Sequence, residues 1–271
     1  MSFSILNNIP AMQAQDQLGL TNASLQSTLL QLSTGSRINT GADDPAGLSI
    51  ANGLHANALA LQQSAQNANT GVGLLQIADG ALSQVTNLLN SAVTLATEAS
   101  NGTETSQQLT ALNAQFTQLM AEVDRIGTGT TYNGNAVFSA STTSIFLSDG
   151  NSSSTIAVTV GTLSSATLGL NTNDLTTQAN AQAALTSIVA AINTVDTNRG
   201  TIGATVNRLQ DAQNVINVQV QNVTSAEDSI RAANIPEEVA KMSQYQILEQ
   251  TGISALAQAN SMQQIVLKLL Q

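Results

Sequence analysis

Apolar side chains recur at alternating steps of four and three along three stretches of the chain. The first holds Leu74, Ala78, Ala81, Val85, Leu88, Ala92, Leu95 and Ala99. The second holds Leu109, Leu112, Phe116, Leu119, Val123 and Ile126. The third runs through Leu185, Ile188, Ile192, Val195, Ile202, Val206, Leu209, Ile216, Val220 and Val223, with Arg199 and Gln213 as polar interruptions. Such a stripe, kept up over several heptads, predicts helices that pack through narrow seams with coiled-coil character. A helix from Pro45 to Ser100 would span roughly 80 Å at about 1.5 Å per residue. Punctuation agrees with this reading. Asp44 before Pro45 sets a capping carboxylate ahead of a proline at the first helical position. Asn101-Gly102-Thr103 closes that helix and opens a turn.

Between about 127 and 170 the pattern changes to Gly-, Ser- and Thr-rich sequence. Ile145-Phe146-Leu147 and the alternation Ile156, Val158, Val160 flank Asp149-Gly150, which predicts a β-hairpin or small sheet. The two ends form a third class. Ala11, Leu18, Leu25 and Leu32 repeat every seven residues, with Leu29 widening the stripe. At the other end Ile235, Val239, Met242, Tyr245 and Leu248 recur at helical spacing, followed by Leu256, Ala259 and Val266. Pro236 precedes Glu237-Glu238, acid where a helix dipole favours it. Both stripes are thin, and Gly19 and Gly252 each weaken a helix by about 1 kcal/mol relative to Ala. The expectation is that these ends are largely disordered in a monomer and become helical when neighbours cover them. The fold class expected is therefore mainly α: an elongated, coiled-coil-like helical bundle of N- and C-terminal segments with a small β-hairpin region in the middle.

Composition sharpens that picture. The chain has 271 residues, no cysteine, no tryptophan and 2% aromatics, so its 42% hydrophobic content is nearly all Ala, Leu, Val and Ile. Small aliphatic residues fill narrow seams better than a thick, rounded core. Net charge is −10, and Arg37 alone is basic in the first 124 residues. No Lys/Arg cluster exists to displace counterions from nucleic acid or to hold an anionic membrane surface, so both partners are excluded. The first residues, Met1 to Pro10, lack the basic and apolar regions of a cleaved secretory signal. Absence of cysteine is compatible with the cytoplasm and also suits a chain exported unfolded into an oxidising medium.

Candidate chemistry is sparse. His55 is the single histidine, with no cysteine to share a metal, and reads as a surface or seam residue. Asp43-Asp44 could be a paired-carboxylate site, but adjacent acids before a proline read better as a turn and a cap. The many Ser and Thr residues lack a Gly-x-Ser-x-Gly elbow and a histidine partner. Gly71, Gly73 and Gly80 follow no strand and precede no lysine, so they form no phosphate loop. No enzyme activity and no cofactor are expected.

Longer motifs carry a family resemblance. Leu32-Ser33-Thr34-Gly35-Ser36-Arg37-Ile38-Asn39 and Asp43-Asp44-Pro45-Ala46-Gly47-Leu48-Ser49-Ile50-Ala51 resemble the N-terminal signature of bacterial flagellin. Gly80-Ala81-Leu82-Ser83-Gln84-Val85 is similar to the same family. So are Met242-Ser243-Gln244-Tyr245-Gln246-Ile247-Leu248, Ala255 to Asn260 and Val266 to Leu270, in the same order along the chain. The resemblance implies a secreted, extracellular subunit that self-assembles into the flagellar filament for motility. It implies an inner-core helical domain made of residues 1–43 and 228–271, and a rod domain over 44–227 with the hairpin inserted. The large outer domains of longer members are absent from so short a middle. Assembly would run through Leu18, Leu25, Leu29, Leu32, Val239, Met242, Leu248, Leu256 and Val266. Implied partners are further copies of the chain, the flagellar export apparatus, an export chaperone, the filament cap and the hook-junction proteins. A hook–filament junction (hook-associated) protein shares the N-terminal pattern and stands as the alternative. The Ala257-Gln258-Ala259-Asn260 ending favours flagellin over it.

The sequence also departs from the family pattern. Members that stimulate the vertebrate innate receptor carry arginines on the first long helix and a glutamate on the second. Here Ser91 and Val93 stand for the arginines and Gln115 for the glutamate, while Leu95 is retained. Each lost charge-assisted contact is worth about 1.5–3 kcal/mol, so weak receptor contact is expected. Gln263 stands where proline is common, Gln271 where a terminal arginine is usual, and Pro45 where alanine is more common.

Overall fold

A computed structural model describes residues 8–149 and 153–269, without the side chains of residues 153, 263 and 265–269. The fold is mainly α: among the described residues there are five helices and two small antiparallel hairpins. The helices are α1 (Ile9–Thr34), α2 (Pro45–Ala99), α3 (Ser106–Gly129), α4 (Gln178–Arg231) and α5 (Ile235–Leu269). Strands β1 (Thr131–Tyr132) and β2 (Asn135–Ala136) form one hairpin, β3 (Thr142–Ser148) and β4 (Ser153–Thr159) the other. The chain divides into one unit of residues 1–55 and 223–271 and a second of residues 56–222.

In the first unit, α1 begins on Asn8, whose Oδ1 accepts from the Ala11 N–H at 3.1 Å, with Pro10 in the first turn where no intrahelical donor is needed. It ends at Gly35, which takes the left-handed conformation (φ 67°) that glycine adopts without a Cβ penalty. The helix therefore stops at residue 34, and residues 35–44 are a loop. Asp43 Oδ2 accepts from the N–H groups of Thr40 (2.8 Å) and Asn39 (3.0 Å), and these bonds, Thr40 first, hold its carboxyl below the usual range. Asp44 Oδ1 accepts from Gly47 N–H at 2.9 Å and caps α2. The two acids thus serve the turn and the helix start separately.

In the second unit the covered face of α2 is Leu61, Ala68, Leu75, Ala78, Leu82, Val85, Leu89, Ala92, Ala96 and Ala99. Ala78, Val85, Ala92 and Ala99 stand where the sequence predicts them. Leu74, Ala81, Leu88 and Leu95 do not: they are half-buried, and the seam runs through the residue after each. On α4 the heptad line Ile188, Val195, Ile202, Leu209 and Ile216 is buried as expected, whereas Ala184 and Ala191 take the places assigned to Leu185 and Ile192. The reason is steric. At Leu95–Ala96 and on α4 an alanine in the seam lets two helices approach closely and the bulkier neighbour flanks it, whereas at 74/75, 81/82 and 88/89 the second residue of each pair, a leucine, fills the seam.

α3 starts on a capping box, with Thr105 and Gln108 bonding each other's backbone N–H. It buries Leu112, Phe116, Met120 and Val123. The segment from 160 to 175 lies against α3: Asp124 accepts from Ser165 N–H (2.6 Å) and Oγ–H (2.9 Å), and Asn113 Oδ1 accepts from Leu175 N–H (2.9 Å). The β3–β4 hairpin docks on α2 through Ser64, whose Oγ donates to Ser148 O (2.8 Å) and accepts from Ser148 N–H (2.9 Å). Ile156, Val158 and Val160 are buried as their alternation predicts. Gly150, expected in the connecting turn, lies outside the described residues.

Candidate assembly surface

Both ends, expected from the sequence to be largely disordered in a monomer, are helical in the single chain. The two helices run antiparallel against each other, each covering the other's stripe. Their near end is clasped by backbone: Arg37 N–H donates to Arg231 O at 2.7 Å, Ala233 N–H donates to Gly35 O at 3.0 Å, and Ser36 bridges Ala232. The Arg37 guanidinium adds a bond to Ile230 O at 3.0 Å. At the far end Asn8 Nδ2 donates to Ala259 O at 3.2 Å.

Between these points α1 turns Ala11, Ala14, Leu18, Thr21, Leu25, Thr28 and Leu32 inward, stepping by three and four. α5 answers with Glu238, Met242, Tyr245, Glu249, Gly252, Leu256 and Ala259 on the same steps. The buried threonines satisfy their own hydroxyls, Thr21 on Gln17 O and Thr28 on Ser24 O. Glu238, nearly covered, is paired with Lys241 at 2.8 Å. The layer at Gly252 is the tightest. A Cβ there would stand 2.9 Å from Leu18 Cδ1, so this glycine buys close approach rather than merely weakening the helix. Gly19 has nothing within 4 Å of a Cβ. Gly19→Ala is expected to raise stability by about 1 kcal/mol through helix propensity, and Gly252→Ala to return less than half as much because Leu18 must move. Urea unfolding of both variants checks this order.

The pairing divides the predicted assembly residues in two. Leu18, Leu25, Leu32, Met242 and Leu256 face the partner helix of the same chain. Leu29 (45% exposed), Val239 (42%) and Leu248 (43%) face outward. The side chain of Val266 lies outside the described residues. Further exposed apolar residues that the sequence stripes did not include lie along the same helices: Ile9, Met12, Leu20 and Leu30 on α1, and Ile247, Ile253 and Met262 on α5. Isolated exposed apolar residues are ordinary, but here they recur along both paired helices, where charges are few. A scan for every apolar position, rather than for the best single stripe, would have found them.

Elsewhere the chemistry stays sparse. His55 Nδ1 lies 3.2 Å from Glu227 Oε2, and Arg231 reaches the other oxygen of Glu227 at 3.3 Å. Among the described residues no group of three or more His, Cys, Asp or Glu could hold a metal, and no helix is long and apolar enough to cross a membrane. Ser91, exposed on α2, donates its hydroxyl to Asn87 O. Val93 and Leu95 are half-buried, and Gln115 is exposed on α3.

Comparison with known proteins bears on the same elements. Residues 5–143 match the bacterial flagellin N-terminal helical region, and residues 185–270 match the bacterial flagellin C-terminal helical region. The flagellin of Halalkalibacterium halodurans is 33% identical over 270 residues, covering 98% of this chain and 99% of its own. The flagellar filament 33 kDa core protein of Treponema phagedenis is 31% identical over 287 residues, again at 98% and 99% coverage. The crystal structure of Bacillus cereus flagellin superimposes with a TM-score of 0.51 at 29% identity, covering 60% of this chain and 94% of that one. With both family regions matched in order and relatives aligned end to end, the chain belongs to the bacterial flagellin family.

Proposed function

We propose that this chain is a structural subunit that self-assembles into the extracellular bacterial flagellar filament and serves motility. The observation that carries this reading is the pair of exposed apolar rows on α1 and α5, left open after the two helices have covered each other. Lateral contact between copies would cover Leu29, Val239 and Leu248, whereas Leu18, Leu25, Leu32, Met242 and Leu256 would shape the pair that is presented. The weakly charged surface supports close packing of many like copies. On this reading residues 1–43 and 228–271 carry assembly, and 44–227 forms the rod domain. The same family logic supplies the remaining partners. The N-terminal segment would be read by the export apparatus, α5 would be shielded by an export chaperone, and the filament cap and hook-junction proteins would meet the ends of the polymer.

Electron microscopy after adding sulfate, which strengthens apolar burial, tests the proposal. The intact chain is expected to give long uniform filaments, and a chain lacking residues 1–43 and 228–271 to give none. Persistent monomers from the intact chain would favour the junction-protein alternative, and filaments from the truncated chain would remove assembly from the ends. For the innate receptor, uncharged Ser91, Val93 and Gln115 support only a weak contact. A reporter-cell response well below that of an arginine-bearing relative is expected, and an equal response would refute it.

A further inference from the structure

The seam between α2 and α4 in the second unit is nearly periodic along its length. On α4, Ile188, Val195, Ile202, Leu209 and Ile216 repeat every seven residues. On α2, Leu75, Leu82 and Leu89 do the same, interleaved with Ala78, Val85, Ala92 and Ala99. The helices run in opposite directions, since Asp79 meets Arg199 while a Cβ at Gly71 would stand 3.2 Å from Leu209 Cδ1. Sliding α4 by one heptad, about 10.5 Å, would set nearly every apolar layer against a similar one. Burial therefore discriminates poorly between registers.

Apart from the close approach of Leu209 to Gly71, one contact across the seam does not repeat, and it is polar. Arg199 Nε donates to Asp79 Oδ1 at 2.8 Å and Nη2 to Oδ2 at 3.4 Å, a two-pronged pair half-covered by the surrounding seam. It is the only ion pair joining α2 to α4 within the second unit among the described residues. After a one-heptad slide, Arg199 would face Val72 or Thr86 and Asp79 would face Ile192 or Val206. Val72 offers no acceptor, Thr86 offers one neutral hydroxyl in place of a two-oxygen carboxylate, and neither Ile192 nor Val206 could donate to Asp79.

We propose that the Asp79–Arg199 pair is the register lock of the α2–α4 seam, a polar contact on the flank of the seam that selects one axial alignment from a set that apolar packing leaves nearly equivalent. Its contribution to total stability is modest, as for any ion pair open to solvent. Its effect is on which register is occupied. The inference stands whether or not the chain polymerises.

The chain has no cysteine, so introduced pairs report register directly. Val72→Cys with Val206→Cys places thiols one heptad from the ion pair on each helix and reports the native register. Val72→Cys with Gln213→Cys, and Thr86→Cys with Leu185→Cys, report one-heptad slips in the two directions. Each is made in the full chain and linked with a short bis-maleimide. With Asp79 and Arg199 intact, only the native pair is expected to link. In Asp79→Asn/Arg199→Gln a slipped pair should link roughly fivefold more relative to the native one. The swap Asp79→Arg/Arg199→Asp should restore the native pattern. A neutral variant that keeps the native link alone would overturn the proposal and assign register to the 160–175 segment. Loss of helicity in the neutral variant that the swap does not reverse would overturn it as well.

Discussion

Leu29→Asp combined with Leu248→Asp is expected to raise the critical concentration for polymerisation at least about 100-fold, while the monomer keeps its helices. Both side chains point away from the α1–α5 seam and stand nearly half exposed, so the pair within one chain loses little. In a polymer that covers them, each substitution removes an apolar contact worth about 1.5–3 kcal/mol and buries an unpaired carboxylate besides. A loss of about 2.8 kcal/mol per added subunit already gives two decades. Leu25→Asp is the contrasting variant. Leu25 is buried between the helices, so it should lower helicity in the monomer itself. Sedimentation velocity and circular dichroism on the three proteins separate the effects. Polymerisation of the double variant at an unchanged concentration would show that the outward rows are not the contact.

Gly127→Ala is expected to cost about 3 kcal/mol of stability, the largest effect of any Gly→Ala change among the described residues. Gly127 sits in the last turn of α3, buried, with the Leu163 carbonyl oxygen packed where a Cβ would be. The obstacle is backbone, which yields less readily than a side-chain end, and overpacking of this kind typically costs 1–3 kcal/mol. Relief requires residues 163–165 to lift from α3, which strains the bonds from Ser165 to Asp124. Asp124→Asn is therefore expected to be milder and to add less than its full cost in the double variant. Urea denaturation of the two single variants and the double gives all three values. A loss under about 0.5 kcal/mol for Gly127→Ala would show that the segment shifts freely.

The legible parts of this fold were those in which one local rule acted alone. Asp44-Pro45 gave the start of α2, Asn101-Gly102-Thr103 its end, and alternation at 156–160 the buried face of β4. The seam of α2 was half-legible for a physical reason: Leu74-Leu75, Ala81-Leu82 and Leu88-Leu89 offer two adjacent apolar residues, and period alone does not choose between them. The neighbouring helix does, by how near it can come. The hairpin of β1 and β2 carried a readable signal in Asn133-Gly134, both at positive φ, though strands of two residues leave almost no alternation to notice. Docking of 160–175 on α3 was not legible, because Asp124 and Asn113 look like ordinary solvent-facing polar residues on a helix. The outward apolar rows were partly legible. Leu29, Val239 and Leu248 fell on the predicted stripes, but the split between inward and outward residues depends on which face α1 and α5 spend on each other.

The backbone clasp at Ser36 and Arg231 has a kinetic consequence. It joins positions 195 residues apart, a long loop to close, yet once it has formed α1 and α5 are adjacent at their bases like the arms of a short hairpin. Pairing then proceeds layer by layer outward from a nucleus that has already met the entropy of closure. Opening follows the reverse order. On this order the distal layers near Asn8 and Ala259 would open before the base, and a second chain would meet the pair first at its tip.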